Sequence, residues 1–573
     1  MEGELEKKDL GFIGVCLLVA VVSLAIGVHY FYQAFPEASI DFRLTRDQAE
    51  TQAAAFLAKR GFDLEEYRHS AVFRYDDKSK TFLERELGLQ GATEKIGQPV
   101  QLWRWSNRWV RDLQKQEYQV DITTSGQLVG FSHIIAEEDP GARLDEINAR
   151  ANAERFLTDD LGRDLTILEY VEAETNERPN RVDHTFTWKL RDFAVSEGTY
   201  RVYVRIQGDQ VGGFGEYLKV PEAWQREFTE LQSRNQATGM VASLFLLLTM
   251  LAMLAVFFGR VRGQDIRWKT ALIFGGIAAA LTLLAELNNL PLAEFGFDTT
   301  DTYGSFLTRQ LLNAGLVAIG QGLFIFFLTA AAEPLYRQYY GDQIQLGAQF
   351  TPTGMRTKRF LLGSVLGLAM TAFFFAYQTL FYIIAEKFGA WSPAQIPYSE
   401  MVNTYFPWIM VLLIGFMPAV SEEFMSRAFS IPFLHKYLKS RWAAVVVSAV
   451  IWGFAHAGYP QQPFYVRGIE VGIAGIIIGF VFLRFGLLAP LVWHYTVDAL
   501  YTALILLRSS NSYFVVSAAI SAGLMLLPLA VALFLYFRQR HFTDPTPLLN
   551  EHDQAITPAV ISPEKTADPV DRQ

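Results

Sequence analysis

Six ionisable groups sit in three short runs, each within an apolar stretch: Glu422, Glu423 and Arg427; His456, four residues after Trp452; and His494 with Asp498. A charged side chain at the centre of a bilayer costs roughly 2.5–3.5 kcal/mol even on lenient insertion scales, so six such groups need a shared explanation. A catalytic site supplies one. Glu423 and Arg427 are four residues apart, which puts them on one helix face as an ion pair. Glu422 points about 100° away and is left for another partner. A carboxylate facing a partly wet, apolar cavity suits taking a proton from water and returning it, so Glu422 is the candidate general base. An imidazole on another segment, His456 or His494, can hold the attacking water, bind a metal or donate to a developing oxyanion. Asp498 lies one helical turn after His494 and can orient that imidazole or complete the polar site.

Those runs need helices in lipid to position them. The chain of 573 residues is 51% hydrophobic and only 19% charged, the balance of a membrane protein. Its net charge of -9 and lack of a basic, aromatic-interleaved stripe exclude a nucleic-acid partner. A lone cysteine, Cys16, excludes an intrachain disulfide framework. Apolar runs at Gly11–Tyr30, Met240–Phe258, Thr270–Leu287, Leu311–Ala332, Phe360–Ala385, Pro407–Val420 and beyond, Trp442–Ala457, Ile469–Leu483, Leu487–Leu507 and Tyr513–Phe537 predict about ten spans. The first is longer than a signal-peptide core and lacks a clear cleavage site, so it reads as an uncleaved anchor. Every second loop is basic, as in Arg260, Arg262, Arg267 and Lys269, or Lys436, Lys439 and Arg441. The positive-inside rule then puts both termini in the cytoplasm.

Residues 35–235 are too polar for lipid and fall outside the cytoplasm by the same topology. Within them Ala55–Leu64 recurs loosely as Arg155–Leu165, each a helix running into glycine and followed by alternating strand patterns. The expectation is an α+β insert of two repeats, at about 41–136 and 143–222, without a catalytic cluster of its own. Residues 1–34 form a short tail and the first span, 236–262 the second span, 268–540 the catalytic core, and 541–573 a proline-containing disordered cytoplasmic tail. Glu286, Glu333 and Glu470, near predicted helix ends, are expected to reach the interface, and His435 to lie in a cytoplasmic turn.

Taken in order, Glu-Glu-x-x-x-Arg, an aromatic-x-x-x-His and His-x-x-x-Asp in successive membrane segments resemble the CAAX protease and bacteriocin-processing (CPBP, or ABI) family of intramembrane endopeptidases, similar to CAAX prenyl protease type 2. The resemblance implies an eight-helix catalytic core. It also implies that Glu422 acts on a water with His456, that His494 and Asp498 stabilise the oxyanion, and that Glu423 and Arg427 support them. Trp452 stands where the eukaryotic prenyl-protein proteases usually have Phe, and Asp498 where they have Asn; bacterial members vary at both. The helix-then-hairpin repeats are similar to PepSY-type domains, which are associated elsewhere with peptidase inhibition or cell-envelope modules.

The resulting expectation is a mainly α, polytopic protein of the bacterial cytoplasmic (inner) membrane that hydrolyses a peptide bond of a membrane-associated protein or peptide. The resemblance favours a mechanism without metal; zinc on His456, His494 and Glu422 is the alternative. A straight helix from Arg441 carries His456 nearly across the membrane, so tilt or a late helix start is needed to bring it to Glu422. The rival readings are a noncatalytic scaffold or peptide- or lipid-binding sensor, in which the same pairs fix helix packing, and a proton-coupled transporter, whose paired broken helices are not evident. Substrate and oligomeric state are not legible.

Overall fold

The computed structural model describes residues 4–34, 43–393, 399–507, 509 and 511–551. The first helix, α1 (Lys7–Ala34), opens on Lys7, Lys8 and Asp9, turns mainly apolar from Leu10, and packs along a later helix by stacking Phe31 on Phe375 at 5.0 Å between ring centroids. An α+β domain follows. Its first half runs α2 (Arg46–Lys59), β1 (Arg68–Tyr75), α3 (Asp77–Lys95), β2 (Trp103–Val110), β3 (Glu117–Thr123) and β4 (Leu128–Ile134). Its second half runs α4 (Glu146–Arg155), β5 (Leu168–Glu177), β6 (Val182–Leu190), β7 (Thr199–Gln207) and β8 (Gln210–Lys219).

Local signals start these helices. Thr45 and Gln48 cap α2 reciprocally, and Asp145 accepts from the Asn148 amide at the head of α4. The strands alternate as a one-sided sheet requires: in β7, Tyr200, Val202, Val204 and Ile206 are buried while Arg201, Tyr203 and Arg205 are less so. All eight strands join one antiparallel sheet in the order β1-β2-β3-β4-β8-β7-β6-β5. The last strands of the two halves meet at the centre, with Phe131 opposite Phe214. Each half opens on a helix and contributes four strands, the first with α3 between β1 and β2, and the two halves share a single sheet.

The chain then enters the bundle through α5 (Glu222–Arg262), one continuous helix of 41 residues. It is followed by α6 (Trp268–Asn288), α7 (Leu290–Phe295), α8 (Tyr303–Tyr339), α9 (Lys358–Glu386), α10 (Pro407–Glu423), α11 (Ile431–Leu438), α12 (Arg441–Ala455), α13 (Val466–Phe485), α14 (Leu488–Leu507) and α15 (Ser512–Gln539). Among the described residues nine helices are long and apolar enough to cross a membrane, with Pro407–Leu438 counted as one. The protein is a multi-pass membrane protein. The tenth expected span is α12, only 15 residues long.

The α+β domain is docked on the bundle. The Phe73 amide of β1 donates to Asn403 Oδ1, Asn403 Nδ2 donates back to the Phe73 carbonyl at 3.2 Å, and Arg108 donates to the carbonyls of Phe295 and Phe297 at 2.8 Å each. Met401 and Val402 complete a core continuous from the sheet to α10 and α14.

Two expectations are corrected here. Residues 541–551 do not form a disordered tail: Leu549 bridges to Ile344, and buried Asn550 donates to the Tyr340 carbonyl at 2.9 Å. Residues 552–573 lie outside the described residues. Glu333 does not reach the interface. It is 2% exposed and paired with Arg337 at 2.9 Å and Arg267 at 3.6 Å, because a buried carboxylate needs cations once water is gone.

Candidate active site

The depth of His456 is settled by the length of its partner helix. The span beginning at Pro407 does not end near Glu422. It continues through a π-helical segment, Phe424–Ser430, into α11 and ends at Leu438. Glu422 thus lies sixteen residues before the end of one arm of a hairpin, and His456 fifteen residues after Arg441 starts the other. At 1.5 Å per residue the two sit about 24 and 23 Å from the turn. The helix starts at Arg441 without delay, so the expected late start is not what brings His456 to Glu422.

Glu422 Oε2 stands 3.9 Å from His456 Nε2 and 3.8 Å from His494 Nε2. The indole N–H of Trp452 donates to the same oxygen. His456 caps the end of α12, and its Nδ1 donates to the Trp452 carbonyl at 2.9 Å, which turns Nε2 toward Glu422. His494 is oriented by Glu423, whose Oε1 accepts from Nδ1 at 2.8 Å. Asp498 Oδ2 is 3.6 Å from His494 Nε2. Arg427 Nη1 lies 3.2 Å from Glu423 Oε1, and its guanidinium covers the Trp452 ring at 4.1 Å.

Exposure separates the two glutamates. The Glu422 and Asp498 side chains are 25% and 28% exposed, whereas Glu423 and Arg427 are 0% and 2% exposed. The first pair is open to its surroundings and the second is sealed in the protein. All seven residues singled out in the sequence, Trp452 included, therefore converge from three helical segments. The orienting partner of His494 differs from expectation: Glu423 holds Nδ1, and Asp498 lies on the Nε2 side.

The segment that carries this geometry matches a known family. Residues 404–500 match the family described as Type II CAAX prenyl endopeptidase Rce1-like. This segment is an Rce1-like domain. At family level the match places the domain with CAAX protease-type hydrolases. The chain is also 19% identical over 506 residues to the sporulation-killing factor biosynthesis protein SkfC of Bacillus subtilis (strain 168), covering 82% of this chain and 91% of that protein. No solved structure matches the chain.

Within the Rce1-like domain α12 crosses α13 closely. A Cβ at Gly453 would meet the Gly472 backbone nitrogen at 2.5 Å, so only glycine permits this approach three residues before His456. Beside the histidines opens a cavity of about 190 Å³. Phe374, Trp493 and Val497 give it an apolar side, Gln378, Gln461, Arg467 and Glu470 a polar one, and Phe31 brings α1 to its edge. Arg467 and Glu470 were not expected there. Glu470 was read as reaching the interface, but it is 4% exposed and paired with Arg467. Their three-residue spacing in an apolar helix was the available signal.

Zinc at this site would draw on Glu422, His456 and His494. Donors at 2.0–2.1 Å in a tetrahedron are about 3.3 Å apart. Here the facing atoms are 3.8 and 3.9 Å apart, and Trp452 already engages the carboxylate oxygen. Among the described residues no group of three His, Cys, Asp or Glu is placed to hold a metal. The donor set as arranged does not fit the ion.

Proposed function

We propose that the protein is an intramembrane endopeptidase that hydrolyses a peptide bond of a membrane-associated protein or peptide by direct attack of water. The observation that carries this reading is the convergence of Glu422 Oε2 with the Nε2 atoms of His456 and His494, at 3.9 and 3.8 Å, beside a cavity. Glu422 and His456 accept hydrogen bonds from one water. Glu422 takes its proton as the oxygen bonds to the carbonyl carbon. When the C–N bond breaks, that proton passes to the leaving nitrogen, giving a carboxylic acid and an amine. His494, oriented through Nδ1 by Glu423, donates through a protonated Nε2 to the oxyanion, and Asp498, on the Nε2 side, completes the polar site. Glu423 and Arg427 hold the Glu422 segment against α12 and α14 through Trp452 and His494, and no covalent intermediate forms.

Cleavage in this reading needs no metal, so it persists in a chelator; loss restored by zinc alone would contradict that part. The setting is a bacterial cytoplasmic membrane with both chain ends in the cytoplasm and the α+β domain on the other face, where its two PepSY-like repeats recruit or restrict substrate. The similarity to SkfC, named for biosynthesis of a killing factor, supports the processing of a defined precursor over general turnover. The test compares peptide termini in membranes of cells expressing wild type or Glu422→Gln at equal levels. Termini that require Glu422 support proteolysis. Identical sets from two folded proteins would favour a scaffold.

A further inference from the structure

The loop that follows His456 is held from outside the Rce1-like domain. Asn235, on α5, is 1% exposed, and its Nδ2 donates to two carbonyls of that loop, Tyr459 and, at 2.8 Å, Gln461. Its Oδ1 accepts no hydrogen bond among the described residues, so the side chain serves the loop purely as a donor. One turn further along the same face of α5, Gly239 lets the loop approach: a Cβ there would meet the Gly458 nitrogen at 3.3 Å. Two neighbouring positions of one helix thus seat residues 458–461.

The loop in turn bears on His456. The Tyr459 ring lies against the imidazole at 6.0 Å with 29° between planes, and the Tyr459 amide donates to the His456 carbonyl at 3.2 Å. At the loop's far end, Gln462 exchanges backbone hydrogen bonds of 2.7 and 2.8 Å with Trp391. Trp391 contacts Phe228 of α5 at 6.0 Å and lies under the Arg85 guanidinium of the α+β domain at 4.9 Å. Since α5 runs unbroken out of that domain, the loop is referenced to the α+β domain as well as to the bundle.

We propose that Asn235 is a positioning residue for the proposed reaction, fixing the loop at 457–462 so that His456 Nε2 stays turned toward Glu422. The assignment rests on the endopeptidase reading. A freed loop lets Tyr459 leave His456, and a displacement of about 1 Å at a reacting group is enough to slow chemistry about 100-fold. Tyr459 and Gln461 also line the cavity, so binding shifts too, but the rest of the lining stays in place and turnover suffers more than binding does.

The test uses the full-length protein in lipid nanodiscs and a synthetic peptide spanning a bond that wild type cuts and Glu422→Gln does not. Asn235→Asp keeps the shape and removes both donors. The expected result is kcat lowered at least tenfold and by more than KM changes, with amide exchange in residues 457–462 accelerated at least tenfold more than in the rest of the chain. Should that variant fail to fold, Gly239→Val, which pushes Gly458 away and leaves Asn235 intact, is expected to show the same split. Wild-type exchange and kcat in a folded variant would overturn the proposal. So would a loss that only follows a lowered midpoint, with exchange faster throughout the chain. If wild type cuts no bond, the endopeptidase reading fails and takes the catalytic part of the assignment with it, while the exchange comparison still decides whether Asn235 holds the loop.

Discussion

Glu422 and Glu423 are neighbours in sequence, but a helix turns about 100° per residue and sends them to different surroundings. Glu423 lies fully buried between Arg427 and His494, so removing it strands a buried cation. Glu423→Ala is expected to destabilise the protein by about 3–5 kcal/mol, seen as a lower unfolding midpoint, with activity lost as a consequence. Trp452→Phe keeps an aromatic face under Arg427 and removes the indole donor to Glu422. Cleavage should fall about tenfold and the unfolding midpoint should drop, since a hydrogen bond to a charged group contributes about 1.5–3 kcal/mol to stability. The Glu423–Arg427 pair was legible because it depends on spacing within one helix. The Glu423–His494 bond joins residues 71 apart, and nothing in either local run announces it.

At the scale of elements, the span through Glu422 looked short because Glu422, Glu423 and Arg427 interrupt its apolar run, and the π-helical turn that follows the glutamates and carries Arg427 leaves no periodicity to read. Its true length, to Leu438, is what levels Glu422 with His456. The helix that opens each half of the α+β domain was legible from its nearby glycine and the alternating strands that follow, whereas α3, which only the first half has, was not. The merger of the two halves into one sheet through β4 and β8 depends on nonlocal pairing and was not legible either. The close crossing of α12 and α13 makes its own prediction. Gly453→Ala places a methyl against the Gly472 backbone, overpacking that costs about 1–3 kcal/mol. Because His456 is three residues away, cleavage should fall more than the loss of stability explains. A variant with reduced stability and full activity per folded molecule would show that the crossing does not set the position of His456.

For the whole molecule, the α+β domain has a titration of its own. Burial, with the nearby Arg205 charge, depresses the His133 pKa to about 4, while the unfolded value is about 6.5. The fold thus favours the neutral imidazole, and the stability this contributes is present above pH 6.5 and lost as pH falls toward 4. The unfolding midpoint should drop over that range in wild type and drop less in His133→Gln; parallel curves would contradict it. Fold class and motif residues were accessible from sequence because lipid forces long apolar helices and isolates their charges. The cavity's second pair, Arg467 and Glu470, and the Asn235 contact arise only when separate helices meet. Hydrolysis by Glu422 is tested most directly by the single-turnover cleavage rate of one identified bond, measured in reconstituted vesicles for wild type and Glu422→Gln alongside their melting midpoints. A general base predicts a rate about 10²–10⁴-fold lower at an unchanged midpoint; a folded Glu422→Gln that cleaves within a few-fold of wild type would contradict it.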